Sequence, residues 1–203
     1  MPLILFNKPF QVMSQFSSHP ERQSLSDYLD IPDIYPAGRL DADSEGLMLL
    51  TDDGTLQHAI SHPDNEKEKT YLAQVEGKVD QTALARLRAP LDLGEFTTLP
   101  CKAVQVASPE WLWEREPPIR VRQQVPTSWL AITLTEGKNR QVRRMTAAVG
   151  LPTLRLIRIA IGPFSLASHP LLPGEWRAVS EAECRPVSMP SPAASTPISC
   201  TSF

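Results

Sequence analysis

The sequence predicts an α+β fold built on a mixed, largely antiparallel sheet, and three observations carry that prediction. Strand-like segments outnumber helical ones. Their spacing is irregular, without the regular alternation that a parallel α/β sheet requires. The best-formed helical segment carries one apolar stripe suited to a core and one arginine ridge.

In chain order, LILF (3–6) reads as a strand. From Ser24, SLSDYL reads as a short helix opened by a Ser-x-x-Asp pattern resembling a capping box. Pro32, Pro36 and Gly38 then interrupt any regular element. The continuous apolar run GLMLLT (46–51) suits a buried strand, and TLQHAIS after it suits a helix. KTYLAQVEG (69–77) alternates as a strand around Tyr71 and Leu72, and Asp80 is placed to cap a helix through about Arg88. CKAVQVA, SWLAITLTE and TLRLIRIAI, rich in β-branched residues, are further strands. The 114–128 segment holds Pro117, Pro118 and Pro126 and reads as a loop. Asn139 is the expected cap of a helix that Gly150 stops. No internal repeat is present. From Pro186 the last 18 residues hold four Pro, five Ser and two Thr, a composition that predicts a disordered tail over 186–203 behind one folded domain over 1–180.

At 203 residues, 41% hydrophobic and 21% charged, the composition is that of an ordinary soluble globular protein. No stretch approaches the apolar length of a membrane span, and the start MPLILFNKPF lacks a basic leader. Cys101, Cys184 and Cys200 are odd in number and far apart, so the expected compartment is the reducing cytoplasm. A net charge of −3 by itself argues against a polyanionic partner, but its distribution does not. Residues 1–114 carry 9 Lys/Arg against 18 Asp/Glu, whereas residues 115–177 carry 10 against 3. Within the second block, 138–158 has six basic residues and no acid, a field that suits a phosphate backbone.

The stretch GRLDADSEGLMLLTDDG (38–54) nearly matches a calcium-loop template from Asp41 onward. Three features speak against calcium. Pro36 and Gly38 forbid the upstream helix, Asp52 stands where a longer bidentate Glu is usual, and no second loop exists to pair with it. The carboxylates are then free for chemistry or act as turn formers. His58 and His62 stand one helical turn apart but lack a third metal ligand nearby.

In EGKNRQVRRMTAAVG (136–150), Arg140, Arg143 and Arg144 fall on one helix face and Val142, Met145 and Val149 on the opposite one. Cations in the first turns oppose the helix dipole by roughly 0.3–1 kcal/mol each. That placement makes sense if an anion docks at that end.

GRLDADSEGLMLLTDDG, KTYLAQVEG and EGKNRQVRRM, in that order, resemble the small-subunit-type (RsuA-like) RNA pseudouridine synthases, and FNKP, LRLIRIAIG and GEWR fit the same group. The resemblance runs from about Leu3 to Val179. It implies a pseudouridine synthase catalytic fold with flanking helices and a basic cleft, here without the small basic RNA-binding module that usually precedes it. It further implies an isomerase of RNA modification that acts on a uridine of 23S ribosomal RNA as a cytoplasmic monomer. No cofactor and no metal are implied, since substrate and product are isomers. By resemblance Asp41 is the catalytic aspartate, which either attacks the sugar or removes a sugar proton. Arg39 helps hold the flipped nucleotide or the position it vacates, Tyr71 stacks on the uracil, and Leu156 lines the uracil pocket. Arg143 pairs with Asp41, while Arg140 and Arg144 serve phosphates. Lys8 of FNKP stays outside this expected site. Two other classes compete: a non-catalytic RNA-binding or ribosome-assembly protein on the same fold, and a glycoside-cleaving enzyme with Asp43 as second carboxylate. Asp41, Arg39, Tyr71 and Arg143 occurring together favour the isomerase, because a binding module needs no carboxylate amid arginines.

Overall fold

A computed structural model of the chain describes residues 3–119, 124–180 and Glu183. Chain order begins β1 (Leu3–Lys8), β2 (Tyr35–Pro36), β3 (Glu45–Thr51), α1 (Gly54–Ser61), β4 (Lys69–Glu76) and α2 (Gln81–Arg88). It continues β5 (Lys102–Val106), β6 (Thr127–Leu134), α3 (Gln141–Ala148), β7 (Thr153–Ile161), β8 (Phe164–Ser165) and β9 (Trp176–Val179). The sheet runs β5-β6-β4-β7-β3-β1-β9, with β2 beside β3 and β8 beside β7. Among the described strands every pairing is antiparallel except β3 with β7. The α+β class read from the sequence is therefore the one observed.

The apolar run 46–51 lies in the interior of the sheet because both its faces are covered. Met48 and Leu50 pack into one core with Leu84 and Leu87 of α2 and Val142 and Met145 of α3. Leu47 and Leu49 alternate into a second core with Leu56 and Ile60 of α1. A strand buried on both sides reads as continuous hydrophobicity rather than alternation.

Local signals set most helix ends. Asp53 caps α1, its carboxylate accepting the N–H groups of Thr55 at 2.8 Å and Leu56 at 3.2 Å. Asp80 caps α2 by accepting the Ala83 N–H at 2.7 Å. Gly150, at φ +82, ends α3, and the Leu151 N–H donates to the Thr146 carbonyl at 2.9 Å. Two expectations need correction. SLSDYL forms only a single 3-10 turn over Leu25–Asp27, though the Asp27 carboxylate does accept the Ser24 N–H at 2.7 Å. The N-cap of α3 is Arg140, not Asn139, and Arg140 adopts the left-handed region at φ +51. The predicted tail over 186–203 lies outside the described residues.

Candidate active site

The acidic loop between β2 and β3 is fixed from below by residues of β1 and its continuation. Ser14 Oγ donates to the Leu40 carbonyl at 2.5 Å, and the Gln11 N–H donates to the Ala42 carbonyl at 2.7 Å. Lys8 Nζ donates to the carbonyls of Pro9 and Val12 at 2.9 Å each and reaches that of Ala42 at 3.4 Å. The loop therefore presents Asp41 at one lip of a cleft of about 840 Å³. Arg39, Asp43, Tyr71, Arg140 and Leu156 line the same cleft.

The acids that resembled a calcium loop diverge to different partners. Asp41 has a side chain 42% exposed, facing the cleft, with Arg140 Nη1 at 3.8 Å. Asp43 takes both Nη atoms of Arg140, at 3.1 and 2.9 Å. Glu45 turns inward to a buried pair with Arg155 of β7, at 2.8 and 2.9 Å, and accepts the Trp113 indole N–H at 2.9 Å. Asp53 serves as a helix cap. Among the described residues no group of three His, Cys, Asp or Glu side chains is placed to hold a metal. The rings of His58 and His62 stack on each other at 4.4 Å.

The three arginines predicted to share one ridge are split by the tertiary structure. Arg140 leans over the acidic loop from a left-handed backbone that costs on the order of 1–3 kcal/mol, and its bidentate contact with Asp43 offsets that strain. Arg143 is mostly buried behind the cleft wall, where its Nη2 donates to the Asp43 carbonyl at 2.7 Å and its Nε lies 3.4 Å from the Asp43 carboxylate. The pairing of Arg143 with Asp41 implied by resemblance is thus a contact with Asp43 in this structure. Arg144 turns away to Glu95 and the Leu93 carbonyl, both at 2.7 Å, with its guanidinium over the Phe96 ring. Arg144 does not line the cleft. Burial of Asp43 disfavours its charge, but the hydrogen bond from Arg140 and the charges of Arg143 and Arg140 outweigh this and hold its carboxyl below the usual range.

Tyr71 on β4 and Leu156 on β7 form the apolar wall, on adjacent strands where Ala73 pairs Leu156 and Tyr71 pairs Arg158. Arg39 is exposed at the rim. Sequence reasoning missed two cationic groups of the cleft, Arg158 and Lys69. Arg158, buried in β7, donates from Nε to the Leu47 carbonyl at 2.8 Å and from Nη1 to the Arg39 carbonyl at 3.4 Å. Lys69 has its ammonium pushed down, first by burial and then by the Arg158 charge. The available signal was an arginine inside an otherwise apolar run, which buries a charge only for a reason.

Lys8, set aside on sequence, is fully buried, and burial pushes its ammonium down to about 7 against the opposing charge of Glu45. An unfolded lysine holds its proton to about 10.5. Between those values the unfolded chain binds more protons. Stability should therefore rise with pH across that window, by at most about 1.4 kcal/mol per unit, and be lowest once pH has fallen through 7. Lys8→Met should flatten the slope, as read from urea midpoints at about pH 6, 7.5 and 9. An unchanged slope in the variant would assign it to another group.

Residues 2–148 match the family model described as RNA pseudouridylate synthase. The chain belongs to that family. Its members catalyse the isomerisation of uridine to pseudouridine, and the synthase is an enzyme of this class. It is 49% identical, over 87% of its length and 73% of the relative's, to "Ribosomal large subunit pseudouridine synthase E" of Vibrio parahaemolyticus. It is 50% identical to the protein of the same name from Xanthomonas campestris pv. campestris, covering 91% of this chain and 98% of that one. A solved structure described as a pseudouridylate synthase superposes on the synthase with a TM-score of 0.71 at 28% identity, covering 92% of this chain and 73% of that chain. No helix among the described residues is long and apolar enough to cross a membrane.

Proposed function

We propose that the synthase converts one specific uridine of large-subunit (23S) ribosomal RNA to pseudouridine, with Asp41 acting on the ribose. The observation that carries this is a half-exposed carboxylate at the lip of a cleft walled by Tyr71 and Leu156, with a guanidinium 3.8 Å away. The names of the curated relatives support the ribosomal substrate. The uridine must leave its stack to enter such a cleft. Tyr71 then stacks on the uracil, worth roughly 1–3 kcal/mol, and Leu156 closes the pocket beneath it. Arg39 at the rim holds the flipped nucleotide or the place it vacates.

In the reaction the N1–C1′ bond breaks, the uracil rotates and C5 bonds to C1′. The proton on C5 is lost and N1 gains one, so no atom or electron is exchanged overall. Asp41 serves this sequence either by attacking the sugar or by removing a sugar proton. Arg143 supports the ionised carboxylate by its charge from behind the wall, Arg140 meets a phosphate, and Arg144 reaches one only by leaving Glu95. The reading includes a single catalytic domain over residues 1–180, acting as a cytoplasmic monomer without metal or cofactor.

The test is conversion of a transcribed large-subunit RNA fragment by the purified protein, with pseudouridine mapped by position. One uridine should convert, and the same position should lack pseudouridine in cells deprived of the gene. RNA binding without any conversion would replace this reading with that of a ribosome-assembly factor on the same fold.

A further inference from the structure

A second concavity adjoins the cleft. It is a groove of about 660 Å³ that meets the cleft at Ser14 and Arg39, residues lining both. Phe16 and Ile31, which pack against the core from one side, line it together with buried Ile34. Tyr35, from the two-residue strand β2, lines it too and is 56% exposed. Asp33 and Gln57 supply polar groups. Gln57 Nε2 donates to the Pro36 carbonyl at 3.0 Å, which leaves its amide oxygen as an acceptor. Arg39 is exposed where the two concavities meet, and among the described residues its guanidinium has no hydrogen-bond or ion-pair partner.

We infer that this groove takes the base of a nucleotide next to the target uridine in the same RNA, stacked on Tyr35. The inference rests on RNA being the substrate, as read above. Every uridine offers the cleft the same base, so discrimination among uridines needs contacts outside it. Swinging one nucleotide out of its stack also exposes the faces of its neighbours, and an exposed aromatic ring replaces the stacking they lose. The shared residue Arg39 makes the two concavities continuous. A strand that drops its uridine into the cleft therefore passes its neighbour over the groove, with the free guanidinium placed for the phosphate between them. Asp33 favours a base over a second phosphate as the occupant. Its carboxylate repels a phosphate but accepts the exocyclic amino group of adenine, cytosine or guanine.

The test measures affinity of the protein for a synthetic large-subunit RNA fragment that contains the converted uridine. Tyr35→Ala should weaken binding about ten-fold, the size of one lost stack, without changing the salt slope. Tyr35→Phe, which keeps the ring, should bind like the parent. Making the nucleotide on one side of the uridine abasic should weaken the parent by the same factor and leave Tyr35→Ala unaffected, since both changes remove one contact. Parent-like binding by Tyr35→Ala would overturn the inference, as would abasic losses that add fully to it at both neighbours. So would a Tyr35→Ala defect confined to ribosomal particles and absent on naked RNA, which would assign the groove to a protein. The Tyr35→Ala measurement needs no conversion, so failure of the catalytic reading shows separately, as a fragment that is bound but unmodified.

Discussion

Asp41→Asn should abolish pseudouridine formation under single-turnover conditions with saturating enzyme, while the protein stays folded and still binds RNA. The structure makes this a clean substitution. The Asp41 side chain is half exposed, and among the described residues its carboxylate takes only the 3.8 Å contact from Arg140, so a nearly isosteric amide breaks no hydrogen bond. What the amide lacks is a negative charge and the capacity to attack or accept a proton. Binding should persist because phosphate contacts supply most of the affinity. Arg143→Ala should also be severe, but for two reasons: it removes a cation near Asp41 and releases the Asp43 carbonyl that it holds at 2.7 Å. If both residues serve one step, the double variant should convert little more slowly than Asp41→Asn alone. Conversion at the parent rate by Asp41→Asn would move the chemistry to another residue.

Gly46→Ala should cost about 4 kcal/mol or more, an effect at the far end of what single substitutions do. Gly46 is the second residue of β3 and lies opposite Arg158, where the two strands run parallel. A β-carbon there would lie 2.3 Å from the Arg158 carbonyl oxygen and 2.8 Å from its nitrogen. Those are backbone atoms, so no side chain can swing aside. The residue also sits at φ +109, which an L side chain rarely adopts. Relief requires β3 and β7 to part, which would disturb the buried Glu45–Arg155 pair next door and the Arg158 contact with Leu47. Guanidinium denaturation measures the loss. Gly54→Ala is the control, since a β-carbon there meets nothing within 4 Å and the change should be close to neutral. A cost under about 1 kcal/mol for Gly46→Ala would show that the strands can separate freely.

The calcium-like pattern illustrates how far local reasoning reaches. A glycine after the alternating acids is needed here to let β7 pass. Reading the upstream flank as non-helical was enough to doubt the metal, because proline and glycine act within their own neighbourhood. The partner of each carboxylate was beyond such reading. Asp53 proved a cap, Glu45 a buried ion pair and Asp43 an arginine anchor, from the same residue types within one short stretch.

The arginine helix divides in the same way. Its apolar face, Val142 and Met145, and its stop at Gly150 follow from periodicity and backbone preference. Its start did not, because Arg140 occupies a left-handed conformation that a distant carboxylate helps hold. Lys8 and Arg158 escaped for a related reason. A charge in an apolar strand is visible in sequence, but the Leu47 and Arg39 carbonyls that satisfy Arg158, and the Ala42 carbonyl that Lys8 reaches, are brought alongside only by folding.

By itself, then, the sequence determined the strands β1 and β3 to β7, the Asp80 cap and the Gly150 stop, the α+β class and, through its motifs, the family and the cleft residues Arg39, Asp41, Tyr71 and Leu156. Only the tertiary structure decided that Arg140 and Arg143 meet Asp43, that Arg144 leaves the site, and that buried Lys8 and Arg158 and half-buried Lys69 surround it. The physical reason is range. Propensity, capping and periodicity act over a few residues, whereas an ion pair depends on where sheet order sets residues about a hundred positions apart in sequence.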